Sequence, residues 1–178
     1  AEQVALVLAS AAGRRASVVV RGGATKLDWG RIPAPVDLVL GTTRLNRIVA
    51  HEYADLTATV QAGVRIDDLN RELARHGQWL PIESAFDDAT IGGAIATNDS
   101  GPLRHRYGTP RDLLIGIRLA LNDGRLIKSG GNVVKNVAGY DLGKLMSGSF
   151  GSLAVVVSAT FKLTPLPAAS STLITTFD

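Results

Sequence analysis

The chain has 178 residues, 46% of them apolar and 20% charged, the composition of a folded globular domain and not of a disordered or fibrous one. It contains no cysteine, so disulfides, cysteine-bound zinc and iron–sulfur clusters cannot be built from this chain alone, and a reducing, cytoplasmic setting is expected. The net charge of +3 and the 5% aromatic content supply neither the dense basic surface nor the stacking rings of a nucleic-acid binder. No apolar run reaches membrane-spanning length, and from the opening Ala1-Glu2, which is not a basic segment leading into an apolar one, no secretion signal is expected.

In chain order, Val4, Val7, Leu8 and Ala11 recur at helical spacing, and the β-branched run Ala16 to Val20 then leads into Arg21-Gly22-Gly23. Val36 to Leu40 predicts a second strand. Thr43 is expected to cap a helix that carries Leu45, Ile48 and Val49 on one face. Thr57 to Gln61 predicts a third strand. A helix should follow from Ile66 to Arg75, with Ile66, Leu69 and Leu73 inward, Asp67 and Asp68 in its first turn and Gly77 as its stop. Beyond an Ala-rich segment opened by Thr90, the runs Ile115 to Leu121 and Leu126 to Ser129 flank Asn122-Asp123-Gly124, a hairpin signature. A helix over 141–146 and strands over 153–157 and 160–163 complete the pattern, closed by Pro165 and Pro167. The whole predicts an α+β fold of two lobes, a small α/β lobe over about 1–82 and a larger one with a mixed or antiparallel sheet over about 83–168.

Glycine concentrates in three loops: Arg21-Gly22-Gly23-Ala24-Thr25-Lys26, Thr90 to Gly93 with Asn98-Asp99-Ser100-Gly101, and Gly148 to Ser152. Successive amides bared in such turns form concave anion sites, and a helix N-terminus adds positive potential. Tight turns alone also call for glycine, so one loop would carry little weight where three together carry more. No Gly-x-Gly-x-x-Gly follows a strand, and Gly139 to Leu145 lacks phosphate-loop spacing, which disfavours a Rossmann domain and a P-loop nucleotidase.

The segment Arg21 to Leu27 resembles the first pyrophosphate loop of the vanillyl-alcohol-oxidase (PCMH-type) FAD-binding domains. Leu80 to Ser84 with Thr90 to Asn98 is similar to that family's second flavin segment, and Arg106-Tyr107-Gly108 with Asp112 to Gly116 also matches. Val134 to Leu142, followed by Gly148 to Leu153, resembles the FAD-binding subunit of bacterial glycolate oxidase. The resemblance implies an FAD extended between two lobes, held mainly by backbone, with a separate cap domain supplying most substrate contacts and expected to lie outside this chain. It implies cofactor contacts from Arg21, Gly22, Gly23, Ala24, Thr25, Lys26 and Leu27, from Ser84, from Thr90, Ile91, Gly92 and Gly93, from Thr97, Asn98, Ser100 and Gly101, and from Ala154, Val155 and Val156. Ala24 stands where a third glycine is common and no histidine occupies its loop, so noncovalent FAD is expected. Phe150 replaces a frequent acidic residue, and Ala154 a frequent glycine.

The activity implied is oxidation of a small 2-hydroxyacid such as glycolate or D-lactate, within an assembly that includes an iron–sulfur subunit through which any membrane association would run. An alternative is a structural or electron-relay FAD subunit without its own substrate site; a basic nucleic-acid-binding domain is the remote one. Lys135, Asn136, Tyr140 and Asp141 either line the flavin edge, or Asp141 caps the following helix with Tyr140 packed beneath it. His51 and His76 read as solvated helix-terminal residues, His105 as part of an exposed basic loop, and no metal cluster is visible.

Overall fold

The computed structural model describes residues 1–30, 35–131 and 140–176. Helix α1 (Glu2–Gly13) is apolar at helical period and buries Val4, Ala5, Leu8 and Ala11. Two short parallel strands follow, β1 (Val18–Arg21) and β2 (Leu38–Gly41), paired from Val18↔Leu38 to Arg21↔Gly41.

The larger sheet has five strands, all antiparallel, in the order β3-β4-β8-β6-β7. These are β3 (Ile48–Glu52), β4 (Thr57–Gln61), β6 (Leu114–Ala120), β7 (Leu126–Gly130) and β8 (Val155–Lys162). The fold is thus α+β, with a small parallel element beside an antiparallel sheet. Its expected division near residue 82 cuts through the sheet, however, because β3 and β4 come before that point and β4 pairs along its length with β8.

Helix α2 (Ile66–Leu73) turns Ile66, Leu69 and Leu73 onto the sheet, as its spacing requires. A 3-10 turn then ends at Gly77, which takes the left-handed conformation at φ +65°. The two-residue strands β5 (Gln78–Trp79) and β9 (Thr164–Pro165) pair beside it. Helix α3 (Ile91–Thr97) runs under β8, and the short α4 (Arg104–Tyr107) and α5 (Pro110–Leu113) lead into β6. The main core joins Leu69, Leu73, Leu80, Ile91, Ile95, Leu119 and Phe161; a second cluster packs α1 through Val4 and Leu8 onto Val155 and Val157.

Several expectations give way. The segment after Thr43 is not a helix: of the three apolar residues at i, i+3, i+4 spacing, Leu45 lies in the connection after a turn, and Ile48 and Val49 open strand β3, whose pairing with β4 decides the matter. His51 therefore lies on a strand, with Nε2 2.9 Å from Gln78 Oε1, and His76 closes the 3-10 turn, stacked on Tyr53. The two strands expected over 153–157 and 160–163 are one continuous strand, β8. Asp141 caps α6 (Leu142–Met146) by accepting from the Lys144 amide at 3.0 Å, but Tyr140 is 93% exposed and is not packed beneath that helix. Residues 134–139, including Lys135 and Asn136, lie outside the described residues. His105 is exposed on α4.

Candidate cofactor groove

Strand β1 ends at Arg21, whose carbonyl accepts from the Thr42 amide at 2.9 Å. Beyond it the chain leaves the sheet, and among the described residues the amides of Gly22, Gly23, Ala24 and Thr25 donate to no protein acceptor. Such a run of unengaged amides is a set of donors awaiting an acceptor. A Cβ on Gly22 would strike the Thr90 hydroxyl, and one on Gly23 would strike the Asp88 carbonyl. Neither has a positive φ; the two are glycine because the loop is pressed against the segment leading into α3. Ala24 does have a positive φ, +62°, and holds in alanine a conformation that glycine adopts freely.

Thr90 caps α3, its hydroxyl accepting from the Gly93 amide at 3.3 Å. The other first-turn amides of α3 are already spent: Ile91 donates to the Val64 carbonyl at 2.9 Å and Gly92 to the Ala62 carbonyl at 2.7 Å. Ile91 is fully buried, and a Cβ on Gly92 would come 2.9 Å from that of Ala62. Ile91 and Gly92 thus seat the helix on the end of β4, and the open donors of the site belong to the first loop, not to the α3 N-terminus.

Three cavities meet at Gly22. The largest, about 500 Å³, is bounded by Arg21 to Ala24 on one side and by Asn46, Gly63, Arg65 and Asp88 on the other. Arg65 is fixed there by an ion pair with Asp88 at 3.3 Å and by donating to the Asp87 carbonyl at 3.0 Å. A second, of about 100 Å³, gathers the expected residues Gly22 to Leu27, Thr90, Gly93 and Thr97 around Ala96 and Phe150. A third, of about 70 Å³, brings Gly22, Gly92 and Gly93 against Ala154, Val155 and Val156, again with Phe150. Close backbone on both walls and a cationic residue, Arg21, at the mouth suit an extended, phosphate-bearing ligand.

Other expected residues stand back from these cavities. Asn98, in the left-handed conformation at φ +51°, ends α3 and accepts from the Arg111 amide. Gly101 donates its amide to the Glu83 carbonyl at 3.1 Å, Ser100 is half-buried beside it, and Ser84 donates to Asp99 at 3.0 Å. Thr97, by contrast, lines the second cavity, with its hydroxyl donating to the Gly93 carbonyl at 2.9 Å. Phe150, Ala96, Asn46 and Arg65 are groove residues that the sequence reading did not select. Phe150 could have been suspected from its place in Gly148 to Ser152; it sits at φ +54° with its amide donating to the Ala96 carbonyl at 2.8 Å. Arg65 carries no sequence signal, because its role depends on Asp87 and Asp88.

A family profile described as an FAD binding domain matches residues 1–130. The chain belongs to the FAD-binding domain family. FAD is accordingly the cofactor of this domain. The chain is 36% identical to glycolate oxidase subunit GlcD of Bacillus subtilis over 178 residues, covering 99% of this chain and 38% of that protein. It is 37% identical to a D-lactate dehydrogenase of Archaeoglobus fulgidus over 92% of this chain and 37% of the relative. With glycolate oxidase subunit GlcE of Escherichia coli it shares 36% identity over 88% of this chain and 45% of the relative. The chain thus spans less than half the length of each of these relatives. Alkyldihydroxyacetonephosphate synthase shares the fold, with a TM-score of 0.81 at 23% identity over 94% of this chain and 31% of that one. No helix among the described residues is long and apolar enough to cross a membrane.

Proposed function

We propose that this chain is the FAD-holding part of an oxidoreductase acting on a small 2-hydroxyacid, with the cofactor bound noncovalently. The observation that carries the reading is the row of unengaged amides from Gly22 to Thr25 at the mouth of a glycine-walled groove. Those amides and Arg21 hold the pyrophosphate; Thr90, Gly93 and Thr97 line its path toward the ring, with Leu27 and the stem of Lys26 alongside; backbone near Ala154 to Val156 forms the opposite wall. Ile91 and Gly92 contribute by seating α3, and Ser84, Asn98, Ser100 and Gly101 by shaping the segments around it.

When bound, FAD supplies the two-electron acceptor for the hydroxyacid carbon. This chain's own residues bind and orient it. Ala24 occupies the loop position without a nucleophilic side chain, and the three histidines lie on β3, at the turn before β5 and on α4, none among the residues lining the groove, which supports noncovalent binding. Relatives named as glycolate oxidase, D-lactate dehydrogenase and D-2-hydroxyglutarate dehydrogenase support the substrate class, while the substrate contacts are assigned to chain beyond the 178 residues. Relatives named as subunits support a multi-subunit assembly. An iron–sulfur partner, a cytoplasmic setting and membrane contact only through such partners belong to the same proposal.

The test is an absorbance spectrum of the purified chain after incubation with excess FAD and gel filtration, followed by acid precipitation. Yellow colour that is retained and then released to the supernatant supports noncovalent flavin. Absence of retained flavin rejects the reading for this chain, and colour that stays with the precipitate rejects noncovalent binding.

A further inference from the structure

Lys26 is the one basic residue among the buried polar side chains of the described chain, its side chain only 5% exposed. Its ammonium lies 2.9 Å from Asp99 Oδ2, 3.3 Å from Ser84 Oγ and 3.4 Å from Thr25 Oγ1, so each of its three protons has an acceptor. Ser84 completes the cluster by donating to the same Asp99 oxygen at 3.0 Å. The rings of Phe86 and Trp29 stand 5.2 and 5.6 Å from the ammonium and cover it. A lysine drawn this far from water and saturated by protein acceptors has no donor left for a phosphate.

We propose that the Lys26–Asp99 pair anchors the first loop and so sets FAD affinity, with Lys26 as a positioning residue acting through the amides of Gly22 to Thr25. The inference rests on the FAD reading above. The loop is fixed at one end by the Thr42 amide on the Arg21 carbonyl. Between there and Lys26 its amides make no protein bonds among the described residues, and the other end is held by the Lys26 side chain, which ties it to the segments carrying Ser84 and Asp99. Freeing that end restores conformational entropy to the donors that must converge on a pyrophosphate, and affinity falls without loss of any direct ligand contact.

The experiment compares Lys26→Met, Asp99→Asn and the double variant with the unaltered chain in FAD affinity, in melting temperature without FAD, and in the rate of tryptic cleavage after Arg21 without FAD. Lys26→Met strands the half-buried carboxylate of Asp99 and lowers the melting temperature; the double variant removes both charges and recovers most of that loss. FAD affinity is expected to fall about tenfold or more in Lys26→Met, the worth of a charge-assisted hydrogen bond, and to stay low in the double variant. Cleavage after Arg21 should quicken in both. A purely structural pair would make affinity recover together with melting temperature in the double variant, and that result overturns the proposal. So does Lys26→Met binding FAD as the unaltered chain does. If the unaltered chain binds no FAD, the functional reading falls, while the cleavage rates still decide the anchor: unchanged rates reject it, faster rates uphold it.

Discussion

Replacing Gly23 with alanine tests whether close packing, and not backbone freedom, dictates the first loop. The added methyl would land on the Asp88 carbonyl, with its carbon 2.8 Å and the Asp88 Cβ 3.4 Å away. Carbon atoms rest about 3.5–4.0 Å apart, so loop and carbonyl must part by on the order of 1 Å. Overpacking of this kind costs about 3 kcal/mol when the obstacle is backbone that cannot rotate away, and in a domain of this size that lowers the melting temperature by roughly 6–12 °C. The same shift moves the loop amides off their target, and losing one charge-assisted bond of about 2 kcal/mol weakens FAD binding roughly thirtyfold. Differential scanning fluorimetry without FAD and a fluorescence titration with it read the two effects separately. Gly41→Ala is the control: a Cβ there meets nothing within 4 Å, and its melting temperature should match or exceed that of the unaltered chain. A Gly23→Ala chain that melts and binds like the unaltered one, or a Gly41→Ala chain equally damaged, refutes the steric account.

Ala24→Gly should stabilise the chain by up to about 1 kcal/mol, because relief of the left-handed strain exceeds the added flexibility; a lowered melting temperature would contradict the φ of +62°. Thr90→Val keeps the side chain's shape but removes the hydroxyl that caps α3, at a cost of about 1 kcal/mol, read in thermal melts. Thr109 and Asp112 form a capping box on α5, and the Thr109 amide and hydroxyl, both 2.8 Å from the carboxylate, hold the Asp112 carboxyl below its ordinary value. A depressed carboxylate stabilises the fold at pH values above its unfolded value of about 3.9 and loses that contribution as pH falls through the folded value. Thr109→Ala should therefore cost about 1 kcal/mol at pH 7 and decline less steeply than the unaltered chain below pH 4, measured by urea unfolding across pH.

The sequence disclosed those elements whose period was imposed by a single buried face. Thr57 to Gln61 and the hairpin at Asn122-Asp123-Gly124 appear where expected, and the inward set of α2 is the predicted one. Strand β3 was hidden because an edge strand buries little: its Ile48 and Val49 happen to fall at helical spacing from Leu45 in the preceding connection, and only pairing with β4 resolves them. The glycine loops could be found but not interpreted in full. Whether an amide is open depends on carbonyls elsewhere in the fold, and those of Val64 and Ala62 claim Ile91 and Gly92 while nothing among the described residues claims Gly22 to Thr25. The partner of Lys26 was likewise out of reach, since Asp99 belongs to another segment, brought near only by the fold.

The central place of β8 makes assembly of this domain depend on its last long strand. Thr59 and Thr160, whose hydroxyls meet at 2.8 Å, are separated by 101 residues, and closing so long a span gives slow, high-contact-order folding. On the ribosome the earlier strands must wait, with the positions that will face Val157, Ala159 and Phe161 uncovered, until that strand emerges. A fragment cut before it would keep every glycine of the first loop and yet lack the opposite wall of the groove, to which Val155 and Val156 contribute.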